Sequence, residues 1–450
     1  MSLAGAPLSN KEEKITYYNK AEETMDREEL KNLQLTKFKA GLNEIWGKNK
    51  FYTEKYKASG VESPDDINSW EDFYKLPFTK KSELVQDQAE NGPYGSNATY
   101  SLDKYVRLHQ TSGTTGKPLK WLDTEESWYA FSECWAYVFK GAGVTEWDKV
   151  FFPFTFGPFV GFWSAFEAAR IIGAVSIPAG GQDTNTRINA ILDHKPTVIA
   201  CTPSYALRLA EVAVAQGIDM TKSSVVKTIH AGEPGASIPS TKKKIEESWG
   251  AKCYDHHGMT EMGAVSFSCQ PQFEGPHIIE SHYIAEVINP ETGKHCADGE
   301  SGELVLTNLW RWGMPNLRYH TGDRVIMKSD RCECGRTFAR IEGGVLGRVD
   351  DMLIIRGVNV FPSALENIVR AYPEVAEFMI EVRKVKEMDD LKLKLEINES
   401  QYSPGKIKEV IRAIVEEVRN KLQIRVETEH CTAGSLPRFE MKAKRVVRIS

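Results

Sequence analysis

The stretch Thr111-Ser112-Gly113-Thr114-Thr115-Gly116-Lys117-Pro118 contains four hydroxyl side chains, two glycines and a lysine within eight residues. Glycines let backbone amides approach phosphate oxygens, hydroxyls add hydrogen-bond donors, and a lysine adds positive charge. The stretch is not a Walker loop, because only two residues separate its glycines and a proline follows its lysine. Taken alone, these residues are compatible with a phosphate-binding loop and equally with an ordinary surface turn.

Four further segments follow this loop along the chain. They are Tyr254-Asp255-His256-His257-Gly258-Met259-Thr260-Glu261, Arg318-Tyr319-His320-Thr321-Gly322-Asp323, Gly347-Arg348-Val349-Asp350-Asp351-Met352-Leu353-Ile354-Ile355-Arg356-Gly357 and Pro437-Arg438-Phe439-Glu440-Met441-Lys442. In this order and spacing, the set resembles the acyl-adenylate-forming superfamily of acyl-CoA synthetases, adenylation domains and luciferases. Extended to Pro362, the third segment is similar to the phenylacetate–CoA ligase branch of that superfamily. The resemblance covers most of the chain.

The resemblance implies an α/β fold with two unequal domains. Residues 1–349 would form a large N-terminal domain of several subdomains, and residues 350–450 a small, mobile α+β C-terminal domain. A chain of 450 residues is long for one hydrophobic core, so two or three domains are expected from length as well.

Apolar patterning supports this division. Short apolar runs alternate with helical patterns through the middle of the chain, which predicts βαβ units. The predicted strands are 150–152, 174–177 and 197–200, and the helices 163–169, 186–192 and 204–215. The last 100 residues predict a capping box at 363–366, strands at 378–382, 391–397 and 424–426, and a helix that begins at Ser403-Pro404.

Three residues in the segments carry charge suited to ATP. By resemblance, Thr260 and Glu261 belong to the catalytic residues. Glu261 would bind the Mg²⁺ that bridges the ATP phosphates, because a hard cation prefers carboxylate oxygen. Asp323 would accept hydrogen bonds from both ribose hydroxyls. Arg348 would reach the ribose or a phosphate. The alternatives are an exposed glutamate, a turn aspartate and a surface ion pair.

The other implied ATP contacts surround the adenine. His257 stands where the branch usually has a tyrosine against this ring, and an imidazole can still stack there. The remaining members belong to the same segment or to a turn on the other side of the adenine: Asp255, His256, Gly258, Met259, Gly232, Glu233 and Pro234.

The small domain would contribute the catalytic lysine. Lys442 would lie over the reacting centre, where a fixed ammonium stabilises the negative charge that develops as a carboxylate attacks the α-phosphorus. The usual glycine before this lysine is Met441 here, and Lys444 is close enough to compete for the role. By resemblance, Asp350 is the hinge between two domain arrangements, and Gly357 borders the channel for the pantetheine of CoA.

A metal site is suggested by Cys332 and Cys334, a tight pair of thiols beside a glycine. One such pair cannot complete a tetrahedral zinc site, so two more ligands are needed. By resemblance to some members of the branch, these would be Cys269 and His282, which gives a closed structural Zn²⁺ site. Ordinary thiols are the alternative, and the reserve ligands are Cys253, Cys296 and His277.

The implied reaction is the AMP-forming ligation of a carboxylic acid to CoA. The segment 151–159, with Phe162 and Trp163, is unusually aromatic, and core packing is an equal alternative for any one of its rings. By its position in the family it would approach the acid, which favours an aryl or compact apolar substrate over a highly charged one. The acyl group could instead pass to an amine or a carrier-protein thiol. An adenylate-binding regulatory protein without catalysis is the second alternative.

Bulk properties fit a cytoplasmic enzyme. The net charge of −5 argues against nucleic acid or an anionic membrane as the main partner. The eight scattered cysteines do not predict a secreted disulfide framework, and the N-terminal residues have no signal-peptide pattern. The substrates expected as partners are ATP, CoA and a small acid, and a homodimer is expected only from the resemblance.

Overall fold

The computed structural model describes residues 14–111, 118–158, 160–271, 274–349, 351–355, 358–385, 388–439 and 444–449. Within these ranges the helices are α1 (Lys20–Glu23), α2 (Arg27–Ile45), α3 (Lys50–Ala58), α4 (Trp70–Lys75), α5 (Lys81–Glu90), α6 (Glu125–Gly141), α7 (Trp163–Ile171), α8 (Thr184–His194), α9 (Pro203–Ala215), α10 (Pro239–Trp249), α11 (Pro362–Arg370) and α12 (Pro404–Leu422). Short 3₁₀ turns occupy Pro64–Asp66, Leu102–Lys104 and Met220–Lys222. Among these described helices, none combines the length and apolarity needed to cross a membrane.

The strands fall into three larger sheets and two small hairpins. In chain order they are β1 (Tyr105–Gln110), β2 (Lys120–Thr124), β3 (Lys149–Phe152), β4 (Val175–Pro178), β5 (Val198–Cys201), β6 (Lys227–His230), β7 (Lys252–Asp255), β8 (Gly258–Met259), β9 (Gly263–Ala264), β10 (Ser266–Phe267), β11 (His277–Ile278), β12 (Tyr283–Ile288), β13 (Ser301–Asn308), β14 (Tyr319–Lys328), β15 (Arg340–Ile341), β16 (Gly347–Arg348), β17 (Leu353–Ile355), β18 (Val358–Val360), β19 (Val375–Val385), β20 (Met388–Ile397), β21 (Val426–Cys431) and β22 (Val446–Ile449).

A parallel sheet with the order β4-β3-β5-β6-β7 forms the centre of the large domain. Its strands alternate with α7, α8, α9 and α10, which confirms the predicted βαβ pattern. Both faces of such a sheet are covered by helices, so β3 and β5 are buried along almost their whole length. The carboxyl ends of β3, β6 and β7 meet at one edge. Ligands of open α/β sheets bind outside this edge.

A second sheet with the order β10-β11-β15-β14-β13-β12 lies beside the first, and β16 pairs with β14. The pairs are antiparallel, and the register places Asp323 of β14 directly opposite Arg348 of β16. The same sheet places His277 of β11 opposite Arg340 of β15, close to the loop that carries Cys332 and Cys334. Two of the predicted sites therefore depend on the register of one sheet.

The small domain has its own sheet, in the order β18-β17-β20-β19-β22, with β21 beside β20. Helices α11 and α12 pack against it, and the fully buried members of its core run from Leu353 to Ile424. None of these residues belongs to the cores of the large domain. The cores thus separate close to the predicted boundary at residue 350, and the boundary itself stays a prediction.

The predicted helix α12 is confirmed, since it begins after Ser403, whose side chain accepts a hydrogen bond from the amide of Lys406. Two local predictions in this domain are wrong. Helix α11 begins at Pro362 with Phe361 as its N-cap, so Ser363 is not a cap and instead donates to the carbonyl of Leu346.

The strand predicted for 424–426 begins only at residue 426. Gln423 has a φ of 57° at the end of α12, and Ile424 turns into the core before the strand starts. Ile424 is a single buried apolar residue between the exposed Gln423 and Arg425, so it packs in the core without belonging to the strand.

The two domains are bonded to each other through α9 and α10 of the large domain. The cross-domain contacts among described residues include Ser240 to Asn367 at 3.0 Å, Lys244 to the carbonyl of Val375 at 3.3 Å, Arg445 to the hydroxyl of Ser204 at 3.2 Å and Arg438 to Glu211 at 3.2 Å. These contacts hold the small domain in one defined arrangement.

Candidate active site

The two ends of the predicted phosphate loop are fixed to each other. The amide of Thr111 donates to the carbonyl of Leu119 at 2.9 Å, and the amide of Leu119 donates to the hydroxyl of Thr111 at 3.0 Å. These bonds continue the β1–β2 hairpin, where Gln110 pairs with Lys120. Ser112, Gly113, Thr114, Thr115, Gly116 and Lys117 lie outside the described residues, so their phosphate contacts stay predictions.

The turn predicted on one side of the adenine follows β6 at the carboxyl edge of the parallel sheet. Gly232 has a φ of 95°, a backbone conformation that favours glycine. The carboxylate of Glu233 accepts a hydrogen bond from the amide of Ser204 at 2.8 Å, and Pro234 completes the turn. This edge is where a nucleotide would meet the sheet.

The Asp255–Glu261 segment leaves β7 at the same edge. Asp255 accepts a hydrogen bond from Ser237, and burial raises the pKa of its carboxyl, partly offset by that hydrogen bond. A Cβ on Gly258 would lie 2.8 Å from the carbonyl oxygen of Gly263, so a side chain cannot be accommodated there. Met259 pairs with Gly263 across β8 and β9. The segment is therefore a tight, backbone-packed turn.

Asp323 is the centre of a charged group that faces this turn. Its Oδ2 lies 2.9 Å from Nε2 of His257, and its Oδ1 lies 3.5 Å from Nη1 of Arg348. Arg348 also donates to the carbonyl of Thr321 at 3.4 Å. The structure therefore brings together three residues that the sequence separated by 91 positions (348 − 257 = 91). A carboxylate held between two cationic or hydrogen-bonding side chains is well oriented to accept hydroxyl donors.

Glu261 is positioned through its backbone. Its carbonyl accepts hydrogen bonds from Asn316 at 2.8 Å and from Arg311 at 3.2 Å, and Arg311 also donates to the carbonyl of Thr260 at 2.8 Å. The carboxylate lies 3.1 Å from the ammonium of Lys81. The predicted Mg²⁺ ligand is thus a largely buried carboxylate that already has a cation beside it.

Arg311 is itself held by a fully buried partner. Its Nε and Nη2 lie 2.7 and 2.6 Å from the two oxygens of Asp123, and neither side chain is exposed. Three aromatic rings lie within 6 Å of the guanidinium, those of Trp121, Phe131 and Trp310. Sequence reasoning missed Lys81, Asp123 and Arg311. The only available signal was an arginine within an aromatic run at 310–312, which does not by itself indicate a function.

The aromatic segment after β3 approaches the same turn. The ring of Trp135 lies 4.2 Å from that of His256 and 5.6 Å from that of Phe162, and Phe162 lies 5.1 Å from Phe154. Phe151 and Phe152 are instead fully buried members of the core. Part of the aromatic run therefore packs against Trp135 of α6, which itself contacts His256, and part of it is core packing.

Three buried thiols and an imidazole form a separate cluster at the end of the second sheet. Ligand atoms of Cys269, His277, Cys332 and Cys334 all lie within 4.8 Å of one another. The Sγ atoms of Cys269 and Cys332 are 3.8 Å apart, and Nε2 of His277 is 3.4 Å from Sγ of Cys334. The other ring nitrogen, Nδ1, donates to the carbonyl of Phe338 at 2.8 Å, which directs Nε2 towards the thiols.

The prediction that His282 belongs to this cluster is therefore wrong. The histidine of the cluster is the reserve candidate His277. His277 lies on β11, directly beside β15 and the Cys332–Cys334 loop. His282 lies five residues further on and faces α6, where its Nε2 is 3.3 Å from Glu133 and its Nδ1 is 3.0 Å from the hydroxyl of Ser281. The other reserve candidates, Cys253 and Cys296, do not belong to the cluster among the described residues.

Three further predicted residues lie outside the described residues. These are the catalytic Lys442, the hinge Asp350 and the pantetheine-channel residue Gly357. The described residues on either side of Lys442 include Arg438 and Arg445, which both contact the large domain. The roles of the three stay predictions.

Residues 55–310 match the family model described as AMP-binding enzyme, and residues 357–448 match the model described as AMP-binding enzyme C-terminal domain. The chain belongs to the AMP-binding enzyme family. Its fold is accordingly the α/β fold of adenylate-forming enzymes, with a large N-terminal AMP-binding domain and a small C-terminal domain.

This AMP-binding enzyme is similar to a phenylacetate–coenzyme A ligase of Thermus thermophilus, with 35% identity over 380 residues, 84% of this chain and 83% of the relative. Its structure is similar to that of 2-hydroxyisobutyryl-CoA ligase in the postadenylation state in complex with 2-HIB-AMP, with a TM-score of 0.91 at 28% identity, covering 96% and 92% of the two chains. The same ligase in the thioesterification state, with 2-HIB-AMP and CoA, gives a TM-score of 0.72 at 29% identity, covering 96% and 92%. The domain arrangement of this AMP-binding enzyme is therefore nearer to the first of these two states.

Proposed function

We propose that this AMP-binding enzyme, an acyl-CoA ligase of the phenylacetate–CoA ligase type, activates an aryl or compact apolar carboxylic acid as an acyl-AMP and then forms the acyl-CoA thioester. The observation that carries the proposal is the meeting of His257, Asp323 and Arg348 where the Asp255–Glu261 segment leaves the carboxyl edge of the parallel sheet. Relatives whose names specify phenylacetate and 2-hydroxyisobutyrate support an acid of this size.

Each residue has a role that suits its position. Asp323 would accept the ribose hydroxyls, because its carboxylate is held between His257 and Arg348. Glu261 would offer its carboxylate oxygen to a Mg²⁺ ion, which would replace the ammonium of Lys81 that lies 3.1 Å from it in this structure. The ion would offset phosphate charge, while Thr111 anchors the start of the phosphate loop.

The two half-reactions need different surroundings at one centre. We place the large domain at residues 1–349 and the small domain at 350–450, with Asp350 as the hinge and Lys442 as the residue brought to the α-phosphate. The higher TM-score with the postadenylation-state structure supports an arrangement suited to the first half-reaction. Rotation of the small domain would then admit CoA, whose pantetheine would pass Gly357.

The direct test is acid-dependent exchange of labelled pyrophosphate into ATP across a panel of aryl and short branched acids. We expect exchange with at least one acid, and acyl-CoA only when CoA is added. If no acid supports exchange, the proposal that this protein adenylates a carboxylic acid is rejected. If products form with amines in place of CoA, the proposal that CoA is the acyl acceptor is rejected. Lys442→Ala should abolish exchange but leave thioester formation from supplied acyl-AMP largely intact, with Lys444→Ala as the matched control.

We further propose that Cys269, His277, Cys332 and Cys334 hold a structural Zn²⁺ ion. Four ligands at about 2.0–2.3 Å from a tetrahedral ion lie roughly 3.4–3.8 Å apart, which fits the 3.8 Å between two thiols and the 3.4 Å between thiol and imidazole. The hydrogen bond from His277 to a carbonyl is the usual outer support of a zinc-bound histidine.

The proposed ion would tie the N-terminal segment to the end of the large domain. The hydroxyl of Tyr17 donates to the carbonyl of Cys334 at 2.6 Å, and Arg336, two residues on, pairs with Glu23 and donates to the carbonyl of Thr16 at 2.6 Å. The proposed role of the metal is therefore stability, since the cluster is separate from the group around Asp323.

Elemental analysis of the purified enzyme should find about one zinc per chain. His277→Ala should lose the metal and unfold at lower temperature, whereas the matched variant His282→Ala should keep it. Retention of zinc in His277→Ala, or its loss in His282→Ala, would contradict the assignment.

A further inference from the structure

His256 presents a hydrogen-bond acceptor in a defined direction. Its Nδ1 lies 2.7 Å from the carbonyl oxygen of Ser266. A carbonyl can only accept, so Nδ1 carries the proton and the other ring nitrogen, Nε2, keeps its lone pair when the ring is neutral. Burial lowers the pKa of His256 to about 3, which keeps the ring neutral near pH 7. The tautomer is thus set by a backbone group, independently of any ligand.

The surroundings of His256 are otherwise aromatic. Trp135 lies against its ring at 4.2 Å, and Phe162 and Phe154 continue the wall. The Nε2 atom lies 3.0 Å from the position that a Cβ on Gly258 would occupy, so any larger residue at 258 would cover this acceptor. Among the described residues, the hydrogen bond of the His256 ring is made through Nδ1.

The neighbouring histidine shows which part of the site this is. His257 contacts Asp323, on the side assigned to the nucleotide, whereas His256 contacts the aromatic wall. Trp135 belongs to α6 and packs against Phe162 of the segment after β3, which is expected to approach the acid. His256 therefore contributes the polar atom of a largely apolar surface that faces the acid.

We propose that Nε2 of His256 accepts a hydrogen bond from a hydroxyl group of the acid, so that the enzyme selects a hydroxylated aryl or compact acid over the same acid without the hydroxyl. The inference rests on the proposed function and narrows its substrate class. An acid without the donor would leave a desolvated acceptor unpaired, and a site built to pair a hydroxyl rejects the analogue that lacks it. His256 is thus a specificity-determining residue.

The test uses acids in matched pairs. The pairs are isobutyrate with 2-hydroxyisobutyrate, phenylacetate with mandelate, and benzoate with each of its three monohydroxy isomers. For the wild-type enzyme, kcat/KM for pyrophosphate exchange should favour the hydroxylated acid by about tenfold or more in at least one pair. Equal values in every pair would overturn the inference without any variant. No exchange with any acid would instead reject the proposed function.

Variants then test the residue. His256→Phe keeps an aromatic ring but removes the acceptor, and the preference in the selected pair should fall to about twofold or less. His256→Gln restores an acceptor and should recover part of the preference. The matched control is His257→Gln, which should raise the KM for ATP and leave the ratio between the two acids unchanged. An unchanged ratio in His256→Phe, or an equal change in His257→Gln, would overturn the assignment.

Discussion

The buried pair of Asp123 and Arg311 gives the sharpest prediction about stability and function together. Asp123→Ala would leave the guanidinium without its carboxylate in a place where neither side chain is exposed. The remaining partners of Arg311 are the neutral carbonyls of Thr260 and Glu261. Removal of one partner of a buried pair costs about 3–5 kcal/mol, because it leaves an uncompensated charge in the interior. We expect a loss of unfolding free energy in this range.

A double variant separates the effect of the Asp123–Arg311 pair on stability from its role in positioning the Glu261 segment. The guanidinium lies among Trp121, Phe131 and Trp310, so apolar side chains fit this environment. Asp123→Leu with Arg311→Met should therefore recover most of the lost stability, as replacement of buried ion pairs by apolar residues often does. Pyrophosphate exchange should stay impaired, because the two carbonyls that position the Glu261 segment lose their charged donor.

Urea denaturation, followed by tryptophan fluorescence and by circular dichroism, measures the first effect, and acid-dependent pyrophosphate exchange measures the second. Glu54→Ala is the control, because Glu54 pairs with Lys50 at 3.9 Å between two exposed side chains of α3 and should give no measurable change. A loss below about 1 kcal/mol in Asp123→Ala would refute the energetic argument. Full exchange activity in the double variant would refute the positioning role of Arg311.

Two further predictions concern the small domain. Burial raises the pKa of Glu377, but Arg370 and Arg445 outweigh this effect and lower the pKa to about 2. The ionised Glu377 therefore stabilises the folded state fully above its unfolded pKa of roughly 4.3. This stabilisation is lost as the pH falls towards 2. Glu377→Gln should flatten the loss of stability in acid titrations between about pH 5 and 2, and an unchanged acid profile would contradict this. Arg438 bonds Glu211 across the domains, so Glu211→Ala should slow pyrophosphate exchange about two- to fivefold and slow acyl transfer from supplied acyl-AMP less. Equal slowing of both steps would reject this link to the domain arrangement.

Patterning in the sequence was sufficient for the regular part of the fold. The runs at 150–152 and 197–200 are buried on both faces as β3 and β5, because parallel strands between helix layers are apolar along their length. Helix α12 was equally clear, since its buried residues recur at helical spacing after a serine cap. Local signals failed where tertiary contacts decide the element, as at Ser363, whose hydroxyl bonds the large domain.

The candidate site divides in the same way. Residues within the recognised segments, such as Asp323 and Glu261, could be predicted because the segments define their order. Lys81 and Arg311 could not be predicted, because each acts through contacts with residues far away in the chain. For His277 the obstacle was geometry: two histidines lie five residues apart, and only the pairing of β11 with β15 decides which one reaches the thiols.

The two histidines at 256 and 257 show how one short segment directs consecutive side chains to different neighbours. Between β7 and β8 the chain makes consecutive side chains face different neighbours, so His257 reaches Asp323 and His256 reaches Trp135. The carbonyl and the hydroxyl of Ser266 hold this arrangement, since the first accepts from the ring of His256 and the second from the amide of His257. In the proposed roles, Ser266 would couple the orientation of the nucleotide contact to that of the acid contact. A substitution that moves Ser266 should impair both KM values together, whereas a change in either ring should affect only one.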